Sequence, residues 1–241
     1  MIGCDCEVCR SKDPRDQRLR CAVVVRGGGK SVLIDAPPDL RTQALRAGLR
    51  QVDAVLFTHA HTDHVMGFDD LRRFTDEEGN LPIYGDGPTL ARLRQAFDYA
   101  FDPGRKYPGY LHAIPHILDG QVRVGELEFV PVPVPHGRFT TNGFLIREEG
   151  RVKLAYLPDC SGVPEEAGRV LQGVPVLVID GLRERPHPSH LSVSQAVEIA
   201  GRLGAERTYL THIAHDFLHE VREASLPSGV FLAYDGLCLT L

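Results

Sequence analysis

Residues 58–64 read Thr-His-Ala-His-Thr-Asp-His, and this stretch decides the fold. It directly follows residues 54–57, a short apolar run that is typical of a buried strand. The loop carries four side chains that bind metal ions: His59, His61, Asp63 and His64. The first two can point the same way, because one alanine separates them, and the last two follow on the turn. Since imidazole and carboxylate groups suit zinc, manganese or iron, these two sub-clusters predict two metal ions side by side.

Two later strand ends add ligands of the same kind. Residues 122–134 alternate like strands and run into His136, which lies between a proline and a glycine. We therefore predict His136 as the third histidine of the first sub-cluster. Residues 152–157 run into Asp159, and one carboxylate at a strand end can bridge two cations. Cys160, its neighbour, is interpreted as a small buried filler rather than a ligand.

Three of the six cysteines lie within the first nine residues, at Cys4, Cys6 and Cys9. In a reducing compartment, clustered cysteines are more often metal ligands than disulfides. Since structural zinc takes four ligands, the fourth must come from elsewhere in the chain. We expect residues 1–21 to form an N-terminal structural zinc segment.

The chain has 241 residues, of which 43% are hydrophobic and 24% charged, so we expect one domain over residues 1–241. No apolar run reaches membrane-spanning length, and the N-terminus lacks the basic and apolar segments of a secretory signal. A cytoplasmic protein with no membrane partner is the expectation. The net charge of −5 argues against a general nucleic-acid binder, because phosphate contacts need a basic surface.

Further elements follow from hydrophobic periodicity and from Gly and Pro positions. We predict helices over 37–49, 89–101 and 192–203, strands over 176–180, 207–211 and 237–241, and a loop over 101–115 that contains Arg105 and Lys106. Two runs of strands, each with helices, indicate two sheets packed face to face.

The full ligand series resembles that of the metallo-β-lactamase fold superfamily. Its members, in chain order, are His59, His61, Asp63, His64, His136, Asp159 and His212. The resemblance implies an α/β (α+β) fold of the αββα sandwich type. It places His59, His61 and His136 on one metal and Asp63, His64 and His212 on the other, with Asp159 bridging. The expected ions are zinc or manganese, with iron as a further option.

The same resemblance implies hydrolysis by a water that the two cations acidify to hydroxide. Asp63 is expected to contribute to catalysis as well as to hold metal. Asp35 ends a strand where this superfamily often has an aspartate that supports the metal loop.

Three segments narrow the resemblance to the PhnP-like branch, which includes a phosphodiesterase acting on cyclic ribose phosphates. These segments are the cysteine cluster, His-Pro-Ser-His at 187–190 and Thr-His-Ile-Ala-His at 211–215. The branch carries a structural zinc, which implies His215 as the fourth ligand here, with Cys21 as a rival. It also gives His190 the role of contacting the phosphate and protonating the leaving oxygen.

One feature departs from that branch. Relatives begin with a Gly-rich strand ahead of the cysteines, whereas this sequence starts at Met1 directly before them. Either the strand is dispensable or the start was assigned late, so we expect a fold that lacks the usual first strand. A partner would then cover the sheet edge, and a homodimer is an open alternative.

The sequence thus predicts a hydrolase of small, cyclic phosphodiesters. The alternatives are hydrolysis of a lactone, a thioester or the 3′ end of a tRNA precursor, and a non-catalytic ligand binder related to the pyrroloquinoline quinone assembly proteins. Net acidity weakens the tRNA alternative, and the intact ligand series argues against the binder.

Overall fold

The structure, a computed structural model, describes residues 1–102, 104 and 109–241. Arg105 and Lys106 of the predicted loop lie outside the described residues. The chain forms two compact units, here called the central unit, Arg20–Val130, and the terminal unit, Met1–Leu19 with Pro131–Leu241. The single domain over residues 1–241 stays a prediction.

The central unit contains a five-stranded sheet of order β1-β2-β3-β4-β5. Its strands are β1 (Val23–Gly27), β2 (Lys30–Ile34), β3 (Ala54–Leu56), β4 (Asn80–Gly85) and β5 (His112–Ile117). The first two strands form an antiparallel hairpin, and the remaining neighbours pair in parallel. A second hairpin joins β6 (Val122–Val124) to the start of β7 (Leu127–His136).

The helices of the central unit are short. They are α2 (Leu40–Arg46), α3 (Thr62–Val65) and α4 (Gly87–Ala96), with 3₁₀ turns over Phe68–Phe74 and Asp98–Ala100. Asp86 caps α4 by accepting a hydrogen bond from the Thr89 backbone N–H, and Leu90 and Leu93 turn inward to a buried apolar core. This core packs around β3, the strand that leads into the histidine loop.

Three sequence predictions differ from this unit. The helix predicted over 89–101 starts two residues earlier, as α4, and ends at Ala96, and a separate 3₁₀ turn follows it. The helix predicted over 37–49 is shorter, since α2 starts three residues later and ends at Arg46. The loop predicted over 101–115 ends in a strand, β5. That strand depends on pairing with β4, and its Pro115 is tolerated because β5 lies at the sheet edge.

The terminal unit contains strands ordered β12-β11-β10-β9-β8-β7, of which β7 enters from the central unit. Its other strands are β8 (Phe139–Glu148), β9 (Arg151–Leu157), β10 (Val176–Asp180), β11 (Arg207–Thr211) and β12 (Val230–Leu232). Strands β9 to β12 run parallel. The helices are α1 (Glu7–Arg10), α5 (Glu165–Leu171), α6 (Val193–Leu203) and α7 (His219–Glu223).

The terminal unit matches its sequence predictions closely at β10, β11 and α6. A capping box between Ser192 and Gln195 starts α6, and Gly204 ends it with a positive φ. The strand predicted over 237–241 is wrong. The sheet ends at β12, and in the part of the chain that the structure describes, no strand pairs with residues 237–241.

Each unit combines a sheet with helices, so the α/β class that the sequence predicts is confirmed. Within the described residues, strand formation starts at Val23, and the preceding segment holds only α1 and a 3₁₀ turn. No helix in residues 1–102, 104 and 109–241 combines the length and the apolar character needed to cross a bilayer.

Candidate metal centres

The central unit carries the histidine loop directly behind a buried strand. All three residues of β3 are buried, and the loop begins two residues later. His61 is the N-cap of α3, so Asp63 and His64 lie on the first turn of this helix. The ring centroid of His59 lies 4.5 Å from that of His61 and 4.4 Å from that of His64. The structure therefore brings the three predicted imidazoles of this loop together.

Asp35 holds this loop from the end of β2. Its Oδ1 accepts the Thr58 backbone N–H at 2.8 Å, and its Oδ2 accepts the Thr58 hydroxyl at 2.8 Å. The same Oδ2 lies 2.7 Å from His64 Nδ1. Because a carboxylate accepts, Nδ1 of His64 donates and Nε2 remains as the atom that can bind a metal.

Asp35 has an unfavourable environment and an unfavourable backbone conformation. Its side chain is fully buried, and burial raises the pKa of its carboxyl. Its φ of 65° lies in the left-handed region, which non-glycine residues rarely adopt. Such strain persists where the surrounding structure requires it, often at functional sites. The structure thus places Asp35 where the resemblance predicts a supporting aspartate.

Asp63 has a cationic neighbour in the same unit. Its Oδ2 lies 3.7 Å from Nη1 of Arg20, and its side chain is about one quarter exposed, at 26%. The guanidinium thus lies beside the carboxylate that is predicted to hold a metal ion.

The terminal unit carries the other three predicted ligands, each at a strand end. His136 ends β7, Asp159 follows β9 by two residues, and His212 follows β11 directly. Asp159 Oδ2 lies 3.5 Å from His212 Nε2 and 3.9 Å from His136 Nε2. Two ligand atoms on one tetrahedral zinc, each at about 2.1 Å, are about 3.4 Å apart. One carboxylate oxygen therefore lies between the two imidazoles, which fits the predicted bridging role.

These three ligands are oriented by their neighbours. His136 Nδ1 donates to the Ser189 carbonyl at 2.7 Å, so its Nε2 faces Asp159. The Thr141 hydroxyl donates to the Asp159 carbonyl at 2.8 Å. His212, like Asp35, has a positive φ, of 57°. His212 thus has a strained backbone at a predicted ligand, and Asp35 has one beside the predicted ligands of its own unit.

Cys160 behaves as the sequence analysis interprets it. Its side chain is completely buried, and burial raises the pKa of its thiol well above the ordinary value. A thiol kept neutral in this way is a packing residue. Its backbone N–H donates to Asp180 Oδ2 at 3.1 Å.

His190 lies beside the terminal-unit ligands and is held by Asp180. The His190 Nδ1 lies 2.6 Å from Asp180 Oδ2. Its ring centroid is 4.6 Å from that of His136 and 4.8 Å from that of His212. Ligand atoms of His136, Asp159 and His190 all lie within 4.8 Å of one another. His190 can therefore contact whatever binds at this cluster.

Asp180 is the functional residue that sequence reasoning missed. It is the last residue of the buried strand β10, as Asp35 is the first residue after β2, and both carboxylates orient a histidine. Burial raises the pKa of Asp180 well above its usual range. A carboxylate that ends a fully apolar strand, followed within a few residues by a histidine-rich loop, was the available signal.

The N-terminal cysteines meet His215 within the terminal unit. Nδ1 of His215 lies 3.5 Å from Sγ of Cys4, 3.4 Å from Sγ of Cys6 and 3.6 Å from Sγ of Cys9. A tetrahedral zinc with Zn–S of about 2.3 Å and Zn–N of about 2.05 Å separates sulfur and nitrogen by about 3.6 Å. The four donors are therefore spaced as a structural zinc requires, with His215 at the position of the fourth ligand.

The local chemistry of this cluster favours a bound cation. Cys6 caps α1, and its hydrogen bonds with His215 and the Cys9 backbone N–H lower its pKa to about 6. The sulfur of Cys6 is thus a thiolate at neutral pH. A thiolate is the form of cysteine that binds metal.

A family model, described as the beta-lactamase superfamily domain, matches residues 30–213. The chain belongs to this superfamily. The crystal structure of a diphosphatase from the PhnP family is 40% identical and superimposes with a TM-score of 0.89, covering 98% of this chain and 89% of that chain. The metallo-β-lactamase fold and the resemblance to the PhnP-like branch are therefore confirmed.

Two relatives with other names also match. An octanoyltransferase of Porphyromonas gingivalis is 37% identical over 241 residues, which cover 98% of this chain and 48% of that protein. A ribonuclease Z of Bradyrhizobium diazoefficiens is 33% identical over 183 residues, which cover 70% of this chain and 58% of that protein. The chain thus spans about half the length of these two relatives.

Proposed function

We propose that the protein is a metal-dependent phosphodiesterase that hydrolyses small phosphodiesters, cyclic ones included. The observation that carries the proposal is the His190–Asp180 pair, which lies against a cluster of predicted metal ligands. A non-ligand imidazole in that place is suited to protonate a leaving oxygen. Simple metal binding would not need it.

The proposal assigns two divalent ions to the seven ligands that the sequence predicts. They are His59, His61, Asp63, His64, His136, Asp159 and His212. When bound, such ions supply Lewis acidity towards phosphoryl oxygens and lower the pKa of water. Zinc and manganese both suit this donor set, as does iron.

The chain's own side chains orient these donors. Asp35 accepts a hydrogen bond from Nδ1 of His64, and the Ser189 carbonyl does the same for His136. Each ring then presents its Nε2, and each has its tautomer fixed. Ligands held in this way lose little conformational freedom on binding a cation.

His190 supplies the proton in this proposal. Asp180 accepts from Nδ1 of His190, and it stabilises the charged imidazolium that donates from Nε2. The leaving oxygen of a phosphodiester must take up a proton when the P–O bond breaks. Asp63 contributes as a predicted ligand and catalytic residue of the same centre.

A separate structural zinc is proposed at Cys4, Cys6, Cys9 and His215. His215 follows the predicted ligand His212 by three residues, so one short segment links the two centres. The zinc would thereby fix the end of β11 on which His212 depends.

Cleavage of a diphosphate bond is the second candidate function. Similarity to a PhnP-family diphosphatase, at 40% identity, favours it. The chemistry differs only in the leaving group, which is a phosphate instead of an alcohol. The same proton donor and the same metal ligands serve both reactions.

The test is a panel assayed with zinc-loaded and manganese-loaded protein. It contains bis(p-nitrophenyl) phosphate, a cyclic ribose phosphodiester, a dinucleoside diphosphate, a lactone, an octanoyl thioester and a tRNA precursor. We expect turnover of the phosphorus substrates, and loss of turnover after chelation. Cleavage of the thioester, the lactone or the tRNA alone would refute the phosphodiesterase. A fully loaded protein that is inert on all six would favour the ligand binder.

A further inference from the structure

The loop before His190 carries a second imidazole that the proposed mechanism does not use. The ring centroid of His187 lies 5.0 Å from that of His190, with the planes tilted by 54°. His190 in turn contacts the rings of two predicted metal ligands, His136 and His212. His187 is therefore one ring further from the metal ligands than the proton donor is.

The tautomer of His187 is fixed by Ser189. The Ser189 backbone N–H donates to His187 Nδ1 at 3.3 Å, and the Ser189 hydroxyl lies 3.2 Å from the same nitrogen. A backbone N–H can only donate, so Nδ1 of His187 is the acceptor. In the neutral ring the proton is then on Nε2. Burial and the neighbouring His190 lower the pKa of His187, which favours the neutral ring.

The two arginines of this loop, Arg183 and Arg185, contact other groups of the protein. Nε of Arg183 donates to the Arg185 carbonyl at 3.2 Å, and its Nη2 donates to the Pro186 carbonyl at 3.0 Å. Arg185 lies 3.7 Å from the Asp216 carboxylate. Arg183 thus fixes the path of the backbone that leads into His187, and both guanidinium groups have protein partners. The donor that this loop holds beside His190 is His187.

We propose that His187 is a specificity residue that binds a phosphate on the leaving group. This inference rests on the second candidate of the proposed function, cleavage of a diphosphate bond, and names the substrate class as diesters of diphosphate. His190 protonates the oxygen that bridges the two phosphorus atoms, and His187 donates Nε2–H to an oxygen of the departing phosphate. The adjacent rings, 5.0 Å apart, suit adjacent atoms of one P–O–P unit.

The reaction balances with water alone. An oxygen of water forms the new bond to the attacked phosphorus, and the bond from that phosphorus to the bridging oxygen breaks. The bridging oxygen leaves with its electron pair and takes a proton from His190. The proton that water loses restores the imidazolium. The role of His187 is binding only, so it acts on substrate affinity more than on the chemical step.

Two substitutions of His187 test the roles of its two ring nitrogens one at a time. His187→Asn places an amide oxygen near Nδ1, which keeps the acceptor for Ser189 and removes the distal donor. His187→Gln places an amide N–H₂ near Nε2, which keeps the distal donor. Both variants are loaded with the same metal, and metal content is checked. The dissociation constant of the dinucleotide is measured by calorimetry on the methylene-bridged analogue of P1,P2-di(adenosine-5′) diphosphate, which cannot be hydrolysed at the bridge. The KM of bis(p-nitrophenyl) phosphate is measured by assay.

We expect His187→Asn to weaken binding of the dinucleotide about 10-fold, the loss of one hydrogen bond, and to leave KM for bis(p-nitrophenyl) phosphate within about 2-fold. His187→Gln should bind the dinucleotide within about 3-fold of the wild type. Equal losses for both compounds, no loss in the Asn variant, or no binding by the wild type would each overturn the role. If the wild type binds the dinucleotide but hydrolyses no phosphorus substrate, the proposed function fails while the binding role stands.

Discussion

Asp180 Oδ2 lies 2.6 Å from Nδ1 of His190, and the aspartate side chain is completely buried. Asp180 accepts the Cys160 backbone N–H with the same oxygen, at 3.1 Å. Its position therefore makes it a positioning residue for the proton donor. The tautomer of His190 and the orientation of its ring both depend on this one oxygen.

Replacement of Asp180 by Asn tests this role. We expect kcat to fall about 100-fold, because the amide can no longer stabilise the charged imidazolium, while metal content stays unchanged. Steady-state kinetics and elemental analysis of the purified variant provide the measurement. The control is Glu165→Gln, an exposed carboxylate on α5, which should keep wild-type kcat. A loss of metal in Asp180→Asn would show a role in ligand support instead.

Replacement of His190 by Ala separates a proton donor from a metal ligand. We expect both predicted catalytic ions to stay bound while turnover of phosphodiesters falls by about 10² to 10⁴. The separation is needed because His190 groups with His136 and Asp159 within 4.8 Å, which a ligand would also do. Metal content per chain decides: if one ion is lost, His190 is a ligand. A substrate with a p-nitrophenol leaving group should suffer least, since that group needs little protonation.

Replacement of Asp35 by Asn tests the support of the histidine loop. Two oxygens of Asp35 hold Thr58 and His64, and an amide can supply only one acceptor. We expect metal affinity to fall about 10- to 100-fold, measured by competition with a chromophoric chelator. Asp53→Asn is the matched control, because Asp53 is also an aspartate beside a strand, directly before β3, but it contacts Lys30 and Gln51. Equal affinities in Asp35→Asn and the wild type would exclude the supporting role.

The parts of the fold that local chemistry decides could be predicted from the sequence. The strand β10 and the helix α6 have the predicted bounds, because an apolar run and a capping box each specify one structure. The strand β5 could not be predicted, since only its pairing with β4 distinguishes it from a loop. Tertiary pairing of this kind leaves no periodic signal in a single sequence.

In the candidate site, too, local sequence predicts some residues, and only the tertiary structure identifies others. The histidine loop is recognisable because its ligands are close in sequence, whereas Asp180 was missed because its partner His190 is ten residues away. His215 was predicted from the family resemblance, and residue spacing alone could not choose it over Cys21. In the structure, Nδ1 of His215 lies 3.4 to 3.6 Å from the three sulfurs, which supports His215 as the fourth ligand.

Replacement of Cys6 by Ser tests the structural zinc. We expect zinc content to fall by about one ion per chain, because a hydroxyl is a poor zinc ligand. Tm should fall by about 4 to 8 °C, since a loss of about 2 kcal/mol shifts Tm by about 2 to 4 °C per kcal/mol in a protein of this size. Cys238→Ser, at an exposed cysteine, is the control and should change neither quantity. Unchanged zinc content in Cys6→Ser would refute the N-terminal site.

We expect the buried ring of His219 to make the free energy of unfolding depend on pH. The ring is fully buried, and its pKa is lowered because burial disfavours the imidazolium; Arg15 and Arg18 act in the same direction, and Glu223 opposes them. Below the unfolded-state pKa of about 6.5, the unfolded chain binds a proton that the folded chain does not. The free energy of unfolding should therefore fall as pH decreases from about 6.5.

The measurement is urea unfolding between about pH 5 and 7.5, compared between the wild type and His219→Gln. The comparison isolates this residue, because protonation of the zinc ligands affects both proteins alike. We expect the difference between the two stabilities to shift in favour of the variant as pH falls, since the variant has no proton to exclude. His116→Gln, at an exposed position, is the control and should follow the wild type. Parallel curves for the wild type and His219→Gln would show that His219 takes up its proton in the folded state as readily as in the unfolded chain.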